Sequence, residues 1–183
     1  MGLNVENRST SANPAIVVMG VAGVGKTTVA QALAAELGLP YGEADDFHPQ
    51  ANIDKMAAGI PLDDADRDPW LRAIGTWLGA QATAGNGAVV TCSALKRSYR
   101  DTLRAYCPDA FFLHLTGSRE LVEDRLAHRS GHFMKTHMLD SQLAILEPLQ
   151  ADENGAVLDV DADPQTLAAK AAALLRPVNG DLA

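Results

Sequence analysis

Short apolar runs alternate with longer segments of helical periodicity over most of the chain. The runs are rich in Val, Ile, Leu and Phe, which is typical of strands buried in a sheet. Strands are predicted at 15–20, within 41–48, and at 87–95, 110–117 and 156–163. Helices are predicted at 26–38, near 50–59, and at 69–85, 96–107, 118–131, 134–149 and 164–177. This alternation predicts an α/β fold with a five-stranded parallel sheet and helices on both of its faces.

Residues with strong conformational preferences mark several helix ends. Val29 and Leu33 share one face of the first helix, and Gly38 is predicted to end it. The helix at 69–85 is predicted to begin at its proline, because proline suits the first turn. Ser118 is a predicted N-cap.

A length of 183 residues suits one domain with a sizeable core. We expect a flexible lead-in at 1–14, a single domain at 15–177 and a loose tail at 178–183. The N-terminal segment is polar and lacks the pattern of a signal peptide, and no apolar run is long enough to cross a membrane.

The formal net charge of −8 argues against a nucleic-acid-binding surface, since such surfaces are usually basic. Cys92 and Cys107 lack metal-ligand spacing and are expected to be free thiols in a cytoplasmic protein. We therefore expect small-molecule substrates, with neither nucleic acid nor membrane as a partner.

Residues 20–27, GVAGVGKT, match the phosphate-binding pattern G-x-x-x-x-G-K-[ST] between a predicted strand and a predicted helix. Glycines let successive backbone N–H groups point into one concavity, and the helix N-terminus favours an anion. Lys26 can reach the β- and γ-phosphates, and the Thr27 hydroxyl can ligate Mg²⁺. The predicted nucleotide-binding residues of this loop are Gly20, Val21, Ala22, Gly23, Val24, Gly25, Lys26, Thr27 and Thr28.

A second block identifies the acceptor. The run D-D-F-H-P-x-x-N-I-x-K-M-x-x-G-x-P-L-x-D-x-D-R-x-P-W at 45–70 resembles the signature of the small, P-loop gluconate kinase family. The segments 89–104 and 129–148 resemble the next blocks of that family, and shikimate kinases are more distantly similar. The resemblance implies a three-layer α/β/α kinase fold related to adenylate kinase, with a helical lid at about 118–138. It also implies ATP- and Mg²⁺-dependent phosphorylation of D-gluconate on its 6-hydroxyl.

The resemblance assigns the catalytic base to Asp45, although the adjacent Asp46 stays open as an alternative. A base must accept the proton of the attacking hydroxyl, so a carboxylate just past the second strand suits this role. Glu43 stands where many relatives carry an acid that helps to hold Mg²⁺. Whether it contacts the metal directly or through water stays open.

Further substrate contacts follow from the same resemblance and from chemistry. Arg67 matches the arginine that grips the substrate carboxylate in related kinases, a task that its planar guanidinium suits, but four nearby aspartates could instead make it a structural ion pair. His48 and Lys55 are candidates for hydroxyl contacts, or for pinning the loop and facing solvent respectively. The backbone at Ser93 is predicted to flank the substrate. Arg100, ahead of Arg97, is a candidate for positive charge at the substrate, with a solvated helix face as the alternative.

The predicted lid supplies the remaining candidates. Arg125 and Arg129 are spaced to share a helix face and are predicted to contact ATP phosphates, with Arg129 stabilising developing charge. His132 is predicted to contact substrate, and the adenine site is expected near 161–164.

Open alternatives for the whole protein are a kinase of another small hydroxy acid, such as shikimate, and a nucleotide-binding regulatory module without turnover. Relatives suggest a homodimer.

Overall fold

The structure, a computed structural model, describes residues 13–128 and 132–175, with the backbone alone at 132–136. Its strands are β1 (Ala15–Met19), β2 (Tyr41–Gly42), β3 (Ala88–Thr91), β4 (Phe111–Thr116) and β5 (Gly155–Asp159). They form one parallel sheet in the order β2-β3-β1-β4-β5. In the central strand, Val17 lies opposite Val90 on one side and Phe112 on the other. The predicted sheet is confirmed.

Helices connect the strands. They are α1 (Lys26–Leu37), α2 (Gln50–Ala57), α3 (Asp64–Thr83), α4 (Arg97–Tyr106), α5 (Arg119–Ala127), α6 (His132–Ile145) and α7 (Pro164–Leu175), together with a 3₁₀ helix at Ala44–Phe47. Ser118 caps α5 as predicted, its hydroxyl accepting a hydrogen bond of 3.2 Å from Leu121 N–H. No helix in the described ranges has the length and apolarity needed to cross a membrane.

Alternating side chains of β1 supply both faces of the sheet. Ile16 and Val18 pack into a core with apolar residues of α1, α5 and α7. Val17 and Met19 point to the other face and pack with α3 and α4. Because both faces are covered, every residue of β1 is buried, which explains its unbroken apolar run. The predicted three layers, α/β/α, are confirmed.

The start of α3 differs from the prediction. The helix begins at Asp64 rather than at Pro69, which lies inside it. Asp63 caps the helix: its Oδ1 accepts a hydrogen bond of 2.8 Å from Asp66 N–H, and Asp66 Oδ2 accepts one of 3.1 Å from Asp63 N–H. This reciprocal capping stabilises the first turn strongly enough to carry a proline in the second. As a result, Arg67 is on a helix and not in a loop.

Two residues of the predicted lead-in, Asn13 and Pro14, make hydrogen bonds to the domain. The Pro14 carbonyl accepts a hydrogen bond of 3.0 Å from Ala88 N–H, and the Asn13 amide donates to the Gly85 carbonyl over 3.1 Å. These two residues therefore belong to the folded unit. The rest of the predicted lead-in and the predicted tail at 178–183 lie outside the described residues.

Candidate active site

The loop between β1 and α1 lies at the carboxyl end of the central strand. Gly20 and Gly23 have φ angles of 141° and 82°, a region that L side chains rarely adopt. A Cβ at Gly20 would lie 2.7 Å from the Leu115 carbonyl oxygen, and one at Gly23 would lie 2.6 Å from Leu126 Cγ. The glycines thus allow the loop to curl tightly against β4 and α5.

This curl gathers backbone donors. The first hydrogen bond of α1 in the structure runs from Val29 N–H to the Gly25 carbonyl, 3.1 Å away, so the amides of the first turn have no acceptor within the helix. Lys26 Nζ lies 3.0 Å from the Val21 carbonyl and so folds back over the loop. Together with the helix dipole, these donors make a cradle for a phosphate chain.

A carboxylate from the end of β2 meets this loop. The Thr27 hydroxyl donates to Glu43 Oε2 over 3.1 Å, and the Thr91 hydroxyl donates to Glu43 Oε1 over 2.8 Å. The Tyr41 hydroxyl also bonds Glu43, and burial together with this bond raises the pKa of Tyr41, so that it stays a donor. Thr91 is itself oriented by Ala44 N–H, which donates to its oxygen over 3.0 Å. The structure thus brings together the two predicted metal ligands, Thr27 and Glu43.

Asp45 and Asp46 are both exposed on the 3₁₀ helix, but they differ in the neighbouring groups whose pKa they affect. Burial raises the pKa of the Cys92 thiol at the end of β3 to about 12, with Lys26 acting to lower it and Asp45 to raise it. Asp45 also acts on His48, whereas no such effect of Asp46 on either group is found among the described residues. Asp45 is therefore the carboxylate whose charge acts on both Cys92 and His48.

His48 is held by an aromatic stack and an amide. Its ring lies 4.6 Å from the Trp70 ring, centroid to centroid, at an interplanar angle of 7°. The Asn52 amide lies 3.3 Å from His48 Nδ1 and donates to the Asp66 carbonyl over 2.8 Å. Burial is the largest influence on His48, and it lowers the pKa of the ring and favours the neutral form. An amide donor at Nδ1 leaves the ring proton on Nε2, which can then donate to a hydroxyl.

Arg67 belongs to a cluster centred on Asp64. The guanidinium Nη1 is 3.6 Å from Asp64 Oδ1 and 3.3 Å from the Tyr99 hydroxyl. Lys96 Nζ lies 2.9 Å from Asp64 Oδ2, and the Tyr99 hydroxyl donates to Asp64 over 2.5 Å. The Asp64 side chain is 61% exposed, so these ion pairs are weak and can be exchanged for those of an incoming carboxylate.

Lys55 and Ser93, both predicted substrate contacts, have different surroundings in the structure. Lys55 Nζ binds both oxygens of Asp66, at 2.7 and 2.9 Å, which ties α2 to the capped end of α3. Its predicted role in substrate binding stays a prediction. Ser93 is half-buried just beyond β3, and its carbonyl accepts a hydrogen bond of 3.3 Å from Gly20 N–H. Ser93 therefore lies beside the phosphate loop.

The predicted substrate role of Arg100 is corrected by the structure. Its side chain is 0% exposed, and its Nε lies 2.6 Å from Oε1 of Glu153, which is also fully buried. The same guanidinium donates to the carbonyls of Ala94 and Leu95 over 3.0 and 3.2 Å. Ala94 has a φ of 43°, so Arg100 braces a strained loop behind the site and does not face the substrate.

On the other side of the phosphate loop, a cavity of about 380 Å³ opens between α5 and the segment after β5. Arg125 forms part of its wall and donates to the carbonyls of Val24 and Val160 over 2.9 and 3.1 Å. The cavity is also lined by Thr28, His128, Ala162, Pro164 and Leu167. The cavity lies at 162–164, where the adenine site is expected, and its role in nucleotide binding stays a prediction. Arg129 and the side chain of His132 lie outside the described residues.

Several residues of this site were not predicted from the sequence: Asn52, Thr91 and Tyr99. Asp64 was one of the four aspartates left open as ion-pair partners of Arg67, and the structure contains that pair. Asn52 was visible only as the asparagine of the 45–70 run. Thr91 ends a buried apolar strand, and a threonine there is the one signal that could have indicated a hydrogen-bonding role. Tyr99 and Asp64 bond each other although they are 35 residues apart in the sequence, and periodicity does not reveal such a pair.

A family model described as "AAA domain" matches residues 16–145. A gluconokinase from Gluconobacter oxydans (strain 621H) is 54% identical over 138 residues, which cover 75% of this chain and 78% of the relative. The crystal structure of a gluconokinase from Sinorhizobium meliloti 1021 superposes with a TM-score of 0.78 at 44% identity, covering 87% of this chain and 90% of that one.

A shikimate kinase from Acinetobacter baumannii in complex with shikimate has a TM-score of 0.60 at 18% identity, covering 90% of this chain and 93% of that one. At this level of identity the likeness shows a shared fold alone. The relatives that are similar along most of both chains are the kinases that the 45–70 run indicates. The chain belongs to the gluconokinase family.

Proposed function

We propose that this protein catalyses the ATP-dependent phosphorylation of D-gluconate on its 6-hydroxyl, giving 6-phosphogluconate and ADP. One observation carries the proposal: the phosphate loop on the central strand has a nucleotide-sized cavity beside it, and the elements after β2 hold His48 close enough to Asp45 and Arg67 for both charges to act on its ring. This order of parts suits the transfer of a phosphoryl group from a nucleotide to an acid with hydroxyl groups.

On the nucleotide side, the loop amides and Lys26 bind the phosphate chain and stabilise the charge that develops during transfer. The cavity beside Thr28 and Arg125 accommodates the base and ribose, since it opens directly onto the first turn of α1. The bonds from Arg125 to Val24 and Val160 fix this wall before the nucleotide arrives. Arg129, predicted to contribute a further charge from the lid, remains part of the proposal.

Thr27 and Glu43 are the residues that would hold Mg²⁺. The fit is chemical: a hydroxyl and a carboxylate oxygen lie 3.1 Å apart beside the phosphate cradle, and Mg²⁺ prefers such oxygen ligands. When bound, the ion neutralises negative charge on the β- and γ-phosphates. Thr91 and Tyr41 keep the Glu43 carboxylate in place through their hydrogen bonds.

On the acceptor side, Arg67 binds the gluconate carboxylate in place of Asp64, and Lys96 and Tyr99 stand next to it. The Nε2–H of His48 donates to a hydroxyl of the sugar acid, and Ser93, beside the phosphate loop, is a further candidate contact. The oxygen of the 6-hydroxyl forms a bond to the terminal phosphorus while the bond from that phosphorus to ADP breaks. Asp45 accepts the proton that the 6-hydroxyl loses. His132 of the lid remains a predicted substrate contact.

A coupled ADP-release assay tests the proposal with three conditions: D-gluconate, shikimate and no acceptor. We expect turnover with gluconate alone, and ³¹P–¹³C NMR of the product should place the phosphate on C6. The Lys26→Ala variant, purified in the same way, controls for contaminating kinases. Turnover with shikimate, or nucleotide binding without turnover on either acid, would overturn the assignment. A homodimer stays a prediction. A cytoplasmic location also stays a prediction, and the two buried free thiols, Cys92 and Cys107, are compatible with it.

A further inference from the structure

A side chain of α6 reaches into the phosphate cradle. Oε1 of Gln142 accepts a hydrogen bond of 2.6 Å from the backbone N–H of Ala22, across 120 residues of chain. Ala22 lies between Gly20 and Gly23, in the glycine-rich loop that is proposed to bind the phosphate chain. A donor of the predicted phosphate site is thus bonded to a side chain that the sequence reasoning did not single out.

The position of Gln142 is well defined by its helix. Leu139, one turn earlier, is buried in the core, and Glu147, beyond the end of α6, is bonded at both its N–H and its carboxylate. Glu147 N–H donates to the Leu95 carbonyl over 2.8 Å, and its carboxylate accepts from Arg97 N–H over 2.6 Å. The second half of α6 is therefore fixed to the loop after β3. Gln142 extends from this fixed part, while the beginning of the same helix lies within the predicted lid at about 118–138.

The chemistry of a carboxamide suits this position. Its oxygen is an acceptor and is neutral, so a phosphate can displace it from Ala22 N–H at the cost of one ordinary hydrogen bond. Its nitrogen carries two donors, which a phosphate oxygen accepts and which a carboxylate in this place would lack. A half-turn about the last side-chain torsion exchanges the two ends of the group.

We propose that Gln142 is a phosphate-binding residue of this enzyme. Without nucleotide, its Oε1 caps Ala22 N–H. With a nucleoside triphosphate in the cradle, a terminal phosphate oxygen takes that N–H and Gln142 Nε2–H₂ donates to the same phosphate. Through Gln142, binding of the terminal phosphate therefore stabilises α6 in its position next to the phosphate loop. This inference rests on the proposed nucleotide site.

The test compares the affinities of ADP and of a non-hydrolysable ATP analogue, measured by calorimetry, because their ratio isolates the terminal phosphate. Gln142→Leu keeps the bulk and removes both polar ends. We expect the analogue to lose about tenfold in affinity, the size of a hydrogen bond to a charged group, while ADP changes by less than about twofold. Gln142→Glu keeps the acceptor and adds a charge, so the analogue should lose more affinity than it loses in Gln142→Leu.

Matched controls are Gln81→Leu and Gln81→Glu, since Gln81 lies near the far end of α3 and bonds Asn86. These variants should leave both affinities unchanged. Equal changes for ADP and the analogue in Gln142→Leu, or none in either, would overturn the role of Gln142. Gln142→Ala gives the same comparison should the leucine variant not fold. If wild-type protein binds neither ligand, the proposed nucleotide site fails instead.

Discussion

Replacing Glu153 by glutamine removes a negative charge from a place where the facing arginine cannot reach water. Both side chains of the Arg100–Glu153 pair are 0% exposed, and two hydrogen bonds of 2.6 and 3.0 Å join them. The other acceptors of Arg100 are the carbonyls of Ala94, Leu95 and Pro148, which carry no charge. The variant therefore leaves a buried guanidinium with neutral partners only.

Breaking one member of a buried ion pair costs about 3–5 kcal/mol of folding free energy. With a urea dependence of about 2 kcal/mol per molar, the unfolding midpoint should fall by about 1.5–2.5 M. The neighbouring Asp152→Asn is the matched control, because Asp152 also pairs with an arginine, Arg97, but is 64% exposed. An exposed pair contributes about 0–1 kcal/mol, so the control midpoint should move by less than about 0.5 M. Equal shifts in the two variants would refute the reasoning.

The same pair predicts a pH dependence. Burial acts to raise the pKa of Glu153, but the hydrogen bonds from Arg100 and from Gln150 N–H outweigh it, and the pKa lies below its ordinary value of 4.5. A lowered pKa in the folded state contributes stability that is present above the unfolded value and is lost as the pH falls through the folded value. The stability difference between wild type and Glu153→Gln should therefore be constant near neutral pH and shrink below pH 4.5. A difference that grows on acidification would contradict this sign.

Five further substitutions test the site. Lys26→Ala should lower kcat by about 10²-fold or more without changing the circular dichroism spectrum, because a charge-stabilising donor is lost; near-normal turnover would exclude the cradle. Arg67→Ala should raise KM for gluconate about tenfold or more and leave KM for ATP unchanged, and the reverse pattern would remove Arg67 from the acceptor site. Asp45→Asn should lower kcat about 10²-fold or more, whereas Asp46→Asn should not, and equal losses would leave the base unassigned. Glu43→Gln should raise the Mg²⁺ concentration for half-maximal rate about tenfold, as measured by metal titration, and an unchanged titration would count against a metal role.

Local patterns made much of the fold predictable. The phosphate loop could be located because its glycines, lysine and threonine act through the backbone of one short segment. The start of α3 was predicted five residues late because Pro69 is a strong local signal, whereas the cap depends on a reciprocal bond between Asp63 and Asp66. Aspartates at both positions were the available signal, since a carboxylate at N3 completes such a cap.

Long-range pairing limited the prediction of the site. Arg100 seemed to be one cation among several on a basic helix, and its partner Glu153 is 53 residues away. Its spacing to the buried Leu103 places it on the apolar face, which was the local hint of burial. Gln142 gave no such hint, because its partner Ala22 is 120 residues away in the sequence. Sequence reasoning therefore finds groups that act through their own segment more readily than groups that act through a distant one.

The strand order explains why the two substrates can be separated by mutation. From β1 the chain turns first towards β2 and β3, and afterwards crosses to β4 and β5, so the loops at the carboxyl ends diverge on either side of the central strand. The groups proposed to bind the acceptor follow β2 and β3, and those proposed to bind the nucleotide base lie beside α5 and β5. Substitutions on one side should therefore affect one substrate. Among the described residues, those proposed to contact the transferred phosphate, such as Lys26 and Gln142 through Ala22, are placed to affect both.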